Sequence, residues 1–294
     1  MRTVAFYKED KPVLGVKTSE GILDVEMAAC KYSEIKGVPL SVTELIAFGE
    51  KGIKALETLV QKALASKDEL IKEKDLSFAP CVPDPEKIIC VGLNYKKHAD
   101  ECKMDYPPTP ILFSKFSNAL SGHNAFVTLP SNGSEFDYEA ELVLVIGKEA
   151  KDVTKQDALS YLYGYCNGND LSVRDLQFTS SQWLLGKTTD EFCPIGPYLV
   201  SKDEVSDPDQ LSIKLTLNGE LRQNSNTSDM IFNCSEIISY ISQHMTLKPG
   251  DIILTGTPEG VIMGEPIDRR VWLKSGDEVK VEIEGLGELT TTFK

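Results

Sequence analysis

Two glutamates lead directly into an apolar run at residues 137–146, and this segment constrains the fold more than any other part of the chain. Side chains of a strand alternate between its faces, so Glu139 and Glu141 point to the same side as Val143 and Val145. The residues between them are mostly apolar, so we expect both faces to be covered. Two like charges on a covered face cost on the order of several kcal/mol unless a cation or protons compensate them. The segment therefore predicts half of a metal site, with an edge strand whose glutamates face water as the alternative.

The charge balance excludes some classes of partner. The 294 residues carry a formal net charge of −14, which repels nucleic-acid phosphates and anionic membranes. We therefore expect a small-molecule partner, no nucleic acid and no membrane. Seven cysteines without Cys-x-x-Cys spacing predict reduced thiols, and the amino terminus lacks the apolar core of a signal peptide. These features predict a cytoplasmic protein.

Three prolines within six residues, Pro80, Pro83 and Pro85, mark the best candidate linker, because proline neither continues a helix nor donates to a strand ladder. We therefore predict a small α/β domain over residues 1–79 and a catalytic domain over residues 80–294. The first domain should contain strands at 3–7 and 13–17 and a helix spanning 53–64. A further helix should open at a capping box formed by Ser41 and Glu44.

Strand patterns dominate the rest of the chain, and helical patterns are fewer. The predicted strands are 87–91, 111–114, 141–146, 198–200, 212–217, 251–255 and 279–284, and the predicted helices are 155–162, 172–179 and 234–244. Regular alternation of strand and helix is missing, as is any Gly-x-Gly-x-x-Gly loop. The pattern therefore favours a β-rich α+β fold over a doubly wound parallel sheet.

A third carboxylate, Asp170, follows the Glu pair along the chain. Taken alone, it is more typical of a residue that caps a helix. Combined with Glu139 and Glu141, it makes an all-oxygen ligand set suited to Mg²⁺ or Mn²⁺, with Ca²⁺ as a further candidate and Zn²⁺ less favoured.

Several donors could hold an anionic ligand. Arg174 and Gln177 lie one helical turn apart and suit a carboxylate, although an ordinary surface pair has the same spacing. Lys187 follows a glycine in a loop rich in hydroxyls, where it is either solvated or placed to stabilise enolate charge. Thr257 lies in a turn bounded by glycine and proline that could hold an anion.

His98 is the candidate base among the three histidines. A helical turn would place Glu101 beneath it, which would orient the imidazole and raise its basicity. Pairs with this spacing are also common on helix surfaces.

Taken together, residues 85 to 294 resemble the fumarylacetoacetate hydrolase family in its two-domain bacterial-type form. The motifs that carry the resemblance are 91–95 leading to His98 and Glu101, 138–142, Asn169 and Asp170 leading to Arg174 and Gln177, 186–187 before 193–197, and 255–258. The resemblance implies a mixed β-sandwich or roll, a homodimer, and Mg²⁺ or Mn²⁺ bound by Glu139, Glu141 and Asp170.

The resemblance also implies an activity. We expect a metal-dependent hydrolase that cleaves a C–C bond in a small 1,3-diketo acid, such as an acylpyruvate or fumarylpyruvate, through an enolate stabilised by the metal. His98 and Glu101 would activate water, Lys187 would stabilise the enolate, and the substrate would be held by Arg174, Gln177 and Thr257. An oxaloacetate decarboxylase, a 2-hydroxyhepta-2,4-diene-1,7-dioate isomerase and a catalytically idle protein that binds metal or oxo acid are the alternatives. Thr188, Thr189 and Glu259 depart from the family pattern near the pocket, which leaves substrate choice open.

Overall fold

Seventeen strands and seven helices make up the computed structural model, which describes all 294 residues. The strands are β1 Arg2–Lys8, β2 Lys11–Lys17, β3 Ile22–Asp24, β4 Ile88–Gly92, β5 Ile111–Lys115, β6 Leu120–Ser121, β7 Ala125–Val127, β8 Phe136–Asp137, β9 Ala140–Ile146, β10 Leu162–Asn169, β11 Ser172–Val173, β12 Cys193–Ser201, β13 Ser212–Leu217, β14 Glu220–Asn226, β15 Ile252–Leu254, β16 Glu278–Ile283 and β17 Gly287–Phe293. The helices are α1 Val25–Lys31, α2 Val42–Phe48, α3 Glu50–Ala65, α4 Lys96–Glu101, α5 Arg174–Gln177, α6 Leu184–Lys187 and α7 Cys234–His244.

The strands form three sheets. The largest has ten strands in the order β3-β2-β1-β12-β10-β9-β15-β4-β5, with β6 added beside β12. A five-stranded sheet runs β14-β13-β16-β17-β7, and β8 pairs with β11. Parallel pairing is confined to β4 with β15, β6 with β12, and β7 with β17. The predicted β-rich α+β class is confirmed.

Strand β9 lies inside the largest sheet, between β10 and β15, and every one of its residues is buried. Leu142 and Leu144 belong to one hydrophobic cluster, whereas Val143 and Val145 belong to a second cluster on the other face. Both faces are therefore covered, as the alternation predicts. The alternative of an edge strand whose glutamates face water is wrong.

Strand β10 was not among the predicted strands, because its two glycines and two asparagines are typical of a turn. One of these glycines, Gly164, allows β10 to approach β12 closely. A Cβ atom at Gly164 would lie 2.0 Å from the carbonyl oxygen of Val200 in β12. The missing side chain is therefore what allows β10 to pair with β12.

The outcome for the predicted helices is mixed. Helix α7 has the predicted bounds, and α3 contains the predicted 53–64 segment. The prediction of a helix at 155–162 is wrong, because only a single 3₁₀ turn forms there, at Ala158–Tyr161. The carbonyl oxygen of Tyr161 accepts hydrogen bonds from Gly147 and Lys148 at 2.7 and 3.1 Å, which draws the chain into the β9–β10 pairing instead.

The helix predicted at 172–179 is shortened at both ends to α5. Ser172 and Val173 pair with β8, and the amide of Arg174 donates to the carbonyl of Glu135 at 2.8 Å. The helix therefore begins two residues later than predicted. Val173 precedes its first residue, so the alternative in which Asp170 caps this helix is also wrong.

The amino-terminal strands join the largest sheet rather than forming one of their own. Strand β1 pairs with β12, with Arg2 opposite Val200. The Ser41 hydroxyl accepts from the amide of Glu44, and the Glu44 carboxylate accepts from Leu40 instead of Ser41. The division at residue 80 stays a prediction. None of the helices combines the length and apolar character that crossing a bilayer requires.

Candidate active site

Three carboxylates meet where β9 and β10 run side by side. The antiparallel register places Gly168 opposite Glu141, so Asp170, just beyond the end of β10, lies beside the Glu pair. The amide of Asp170 also donates to the carbonyl of Glu139 at 2.9 Å. One oxygen from each of the three carboxylates lies within 4.8 Å of the others, and all three side chains are buried. We call these three residues the carboxylate cluster.

Buried cations surround the carboxylate cluster. Lys187 Nζ lies 2.7 Å from Glu139 Oε2 and 2.9 Å from Asp170 Oδ2. Lys115 Nζ contacts Asp170 Oδ1 and donates to the carbonyl of Leu171 at 3.0 Å. Burial opposes the charge on Glu139, but Lys187 and Arg174 outweigh it and lower the pKa of this carboxyl group.

Glu141 differs from the other two carboxylates because no cation contacts it. Its Oε2 accepts a hydrogen bond from the amide of Gly256 at 2.7 Å. Burial, Asp170 and Glu139 raise the pKa of Glu141 well above its ordinary value. A divalent cation would compensate this charge, and three oxygen ligands gathered where two strands lie side by side suit a hard metal. The residues present therefore fit a divalent metal.

Arg174 is held by an acidic residue that sequence reasoning did not assign. Asp137, at the end of β8, is fully buried and accepts from Arg174 Nε at 2.9 Å. The guanidinium also lies 2.7 Å from Glu139 Oε1 and donates to Gln177 Oε1 at 2.9 Å. The signal for Asp137 was its place at the start of the apolar run. Lys115, also unassigned, carried a comparable signal as a charge that ends an apolar strand.

Helices α5 and α6 are packed against each other at Gly186. A Cβ atom there would lie 2.5 Å from Cβ of Gln177. Only glycine permits this approach, and the approach sets the position of the next residue, Lys187. Lys187 Nζ also lies 5.1 Å from the centre of the Phe113 ring.

His98 and Glu101 form the predicted pair on α4. His98 Nδ1 lies 2.7 Å from Glu101 Oε1, and Glu101 Oε2 accepts from the amide of Gly260 at 3.0 Å. A carboxylate only accepts, so Nδ1 carries a proton, and Nε2 has a free lone pair once the ring has lost its second proton. Burial lowers the pKa of His98, but Cys102 and Glu101 outweigh it and raise the pKa to about 9.

Gln223 positions Thr257 and was missed by sequence reasoning. Its fully buried amide donates to Thr257 Oγ1 and to the carbonyl of Pro258, both at 2.9 Å, and it accepts from the amide of Ala140 at the same distance. Because Thr257 Oγ1 accepts from Gln223, its own hydroxyl proton is left to donate elsewhere. Nothing in the local spacing of the sequence links these residues.

One cavity of about 70 Å³ joins most of the predicted site. The predicted residues that line it are His98, Glu139, Glu141, Arg174, Gln177, Lys187 and Thr257. Asp170 contacts Lys187, and Glu101 contacts His98. A larger cavity of about 680 Å³ lies beside α1 and residues 66–75 and contains none of the predicted residues. The smaller cavity is therefore the candidate active site: it combines a base, several hydrogen-bond donors and a site for a hard cation.

Comparison with known proteins identifies a matching family model, relatives and similar structures. The family model described as "Fumarylacetoacetate (FAA) hydrolase C-terminal" matches residues 87–294. A protein of Xenopus laevis named oxaloacetate tautomerase fahd2, mitochondrial, is 40% identical over 99% of this chain and 89% of its own length. A putative HpcE protein from Mycobacterium smegmatis has a TM-score of 0.83 and 34% identity, covering 100% of this chain and 99% of its own. Maleylpyruvate hydrolase from Sphingobium sp. SYK-6, solved with manganese(II) and pyruvate, has a TM-score of 0.78 and 31% identity, covering 100% and 98%.

Proposed function

The chain belongs to the fumarylacetoacetate hydrolase family and is an enzyme of that family, and on this premise we propose that it is an oxaloacetate tautomerase. One observation carries the proposal. His98, whose Nδ1 is paired with Glu101 so that Nε2 is the nitrogen that exchanges a proton with substrate, lines the same small cavity as Glu139 and Glu141 of the carboxylate cluster. Proton transfer beside a carbonyl group needs a base and a means of holding the oxo acid, and water is not consumed in the reaction. The name of the Xenopus laevis relative supports this choice of reaction.

A small 2-oxo diacid would be held by the donors of the cavity. Lys187 has three N–H groups and uses two of them on Glu139 and Asp170, which leaves one for a substrate oxygen. The Thr257 hydroxyl is a second donor. A divalent metal, Mg²⁺ or Mn²⁺, held by the carboxylate cluster would supply a Lewis acid for the 2-oxo acid.

His98 would move the proton. In the direction of enol formation, Nε2 takes a proton from C3, and the electron pair of that C–H bond becomes the C2–C3 double bond. The oxygen on C2 takes up a proton from water to become a hydroxyl group, and the imidazolium returns its proton to water, so the composition of the substrate is unchanged. Glu101 stabilises the imidazolium through the 2.7 Å contact with Nδ1.

A direct assay tests this proposal. Purified protein with Mg²⁺ or Mn²⁺ should accelerate the conversion of enol- to keto-oxaloacetate, followed by the loss of enol absorbance, beyond the rate with metal alone. EDTA should abolish the acceleration. His98→Asn should lower kcat by about 10² to 10⁴-fold. His244→Asn, which changes an exposed histidine at the end of α7, is the matched control and should have no effect. Unchanged tautomerisation in the His98 variant would remove the proposed base.

C–C bond hydrolysis is the second candidate, and the maleylpyruvate hydrolase structure with manganese and pyruvate favours it. In that reaction, His98 would take a proton from water, and the resulting hydroxide would attack the distal carbonyl. The electron pair of the broken C–C bond would leave with the pyruvate enolate, which takes the proton from the imidazolium to give pyruvate and a second carboxylic acid. Acylpyruvates, maleylpyruvate and fumarylpyruvate should therefore be assayed beside oxaloacetate, with pyruvate as the readout. Pyruvate formed from oxaloacetate would instead indicate decarboxylation, and conversion of 2-hydroxyhepta-2,4-diene-1,7-dioate would indicate isomerisation.

Two further expectations remain proposals. The first is a homodimer, which light scattering would test. The second is a cytoplasmic location, which fractionation would test, and the word "mitochondrial" in the name of the Xenopus laevis relative favours a different compartment.

A further inference from the structure

A second cluster of potential metal ligands adjoins the carboxylate cluster. His98 Nδ1, a carboxylate oxygen of Glu101 and Cys102 Sγ all lie within 4.8 Å of one another at the end of α4. We propose that these three side chains bind Zn²⁺ and that zinc bound there inhibits the enzyme. The cysteine spacing of the sequence carries no sign of such a site, because its ligands are of three different types within one helical turn.

The distances suit zinc. Zn–S and Zn–N bonds of about 2.3 and 2.0 Å, at a tetrahedral angle, separate the two ligand atoms by roughly 3.5 Å. Cys102 Sγ and His98 Nδ1 lie 3.9 Å apart. Glu101 Oε1 is closer to Nδ1, at 2.7 Å, and would have to move away by less than about 1 Å to share a metal. Zinc binding would require the Glu101 side chain, which is not fully buried, to rotate by this amount and lengthen the short contact.

The two clusters differ in the metals that they favour. The carboxylate cluster offers oxygen ligands alone, which suit Mg²⁺ and Mn²⁺. The second cluster adds an imidazole and a thiolate, which suit Zn²⁺. Cys102 is also accessible, since it lines the active-site cavity and, with Cys30, is one of the two cysteines that are not buried. Zinc could therefore bind beside the carboxylate cluster without displacing its metal.

Zinc at this site would disable the base, a consequence that rests on the role of His98 in the proposed function. Binding replaces the hydrogen bond between Nδ1 and Glu101, and the ring proton moves to Nε2. The thiol proton of Cys102 leaves to water as the Zn–S bond forms. With a proton on Nε2, His98 can no longer accept one from C3 or from water.

Cobalt absorbance tests the site independently of activity. With Mg²⁺ in large excess to occupy the carboxylate cluster, added Co²⁺ should produce a thiolate-to-cobalt charge-transfer band. The band should be absent in Cys102→Ser and Cys102→Ala and retained in the matched control Cys30→Ser, which changes the exposed cysteine of α1. A band of equal strength in the Cys102 variants, or no band in the native protein, would overturn the proposal. The same result is obtained whether or not the protein acts on oxaloacetate.

Zinc titrations of the enzyme's activity test whether zinc bound at this site inhibits the enzyme. Each variant is compared with its own rate without zinc, using whichever substrate of the panel is turned over. The zinc concentration for half-inhibition should rise by at least about tenfold in both Cys102 variants and stay unchanged in Cys30→Ser. Bound Mn²⁺, followed by its electron paramagnetic resonance signal, should remain on the native protein during inhibition. Equal inhibition of all variants together with release of Mn²⁺ would show that zinc acts at the carboxylate cluster and would refute the inhibitory site.

Discussion

The carboxylate cluster and the His98–Glu101 pair belong to one cavity but are built differently. The carboxylates lie in or next to two strands inside the largest sheet: Glu141 is in β9, Glu139 directly precedes β9, and Asp170 directly follows β10. Buried cations contact two of the three. The pair lies on the six-residue helix α4, and the Gly260 amide donates a hydrogen bond to Glu101 from a distant part of the chain. The first region depends on the core of the protein, and the second depends on local geometry.

Because of this difference, substitutions in the two regions should affect stability and catalysis to different extents. Changing a carboxylate that neutralises buried lysines should affect folding as well as metal binding, because it leaves charges uncompensated in the core. Changing the partly exposed Glu101 should affect proton transfer with little effect on folding. The predictions below use this contrast, from the largest expected effect to the smallest.

Asp170→Asn should cause the largest loss. Lys115 and Lys187 would both lose a buried ionic partner, so we expect the free energy of unfolding to fall by about 3–5 kcal/mol. Loss of a metal ligand should also lower activity by at least about 10³-fold. Urea denaturation of the metal-free protein and Mn²⁺ binding by calorimetry measure the two effects separately.

Glu141→Gln is the matched comparison within the same cluster. Because no cation contacts Glu141 and burial raises the pKa of its carboxyl group, its neutral substitute should lose metal binding without destabilising the metal-free protein. Equal losses of unfolding free energy in the two variants would contradict the assigned charge pairing.

The pH dependence tests the His98–Glu101 pair. The groups that act on His98 are Cys102 just after its own helix, Glu101 in that helix, and Glu139 just before β9. Together they overcome burial and raise its pKa to about 9. A base must be deprotonated, so kcat/KM should rise with pH and level off above about 9. Glu101→Gln should lower the pKa of His98 and move this midpoint to lower pH, while the plateau rate falls.

Nuclear magnetic resonance checks the assignment in the metal-free protein. The chain has three histidines, so the Cε1 proton of His98 can be followed individually. A midpoint that does not move in Glu101→Gln would show that the carboxylate does not set the basicity of His98.

Thr257→Val should cause the smallest of these effects. It removes one hydroxyl donor and leaves the metal ligands and the base unchanged, so KM should rise by about tenfold with a small change in kcat. Thr257→Ser keeps the hydroxyl and the bond from Gln223 and should retain the native KM. A large fall in kcat with unchanged KM would argue that Thr257 contacts the transition state rather than the bound substrate.

Features set by short-range spacing were predictable. The alternation of β9 indicated a covered Glu pair, and the three-residue spacing of His98 and Glu101 indicated their contact, which the structure places at 2.7 Å. Bounds were less predictable where tertiary pairing overrode the local pattern. Tyr161 leads into β10 instead of ending a helix, because its carbonyl bonds to residues that follow β9.

The sequence by itself determined the fold class, because strand and helix periodicities are properties of the backbone and repeat along the chain. Its motifs, through their resemblance to a known family, indicated the family and the principal residues around the cavity. Only the tertiary structure decided which charged and polar side chains pair with one another. Lys115 meets Asp170, Asp137 meets Arg174, and Gln223 meets Thr257 across separations of 34 to 55 residues. Such contacts depend on how sheets pack and not on local spacing. The same packing left Glu141 without a cation, which is the strongest physical reason to place a divalent metal at this site.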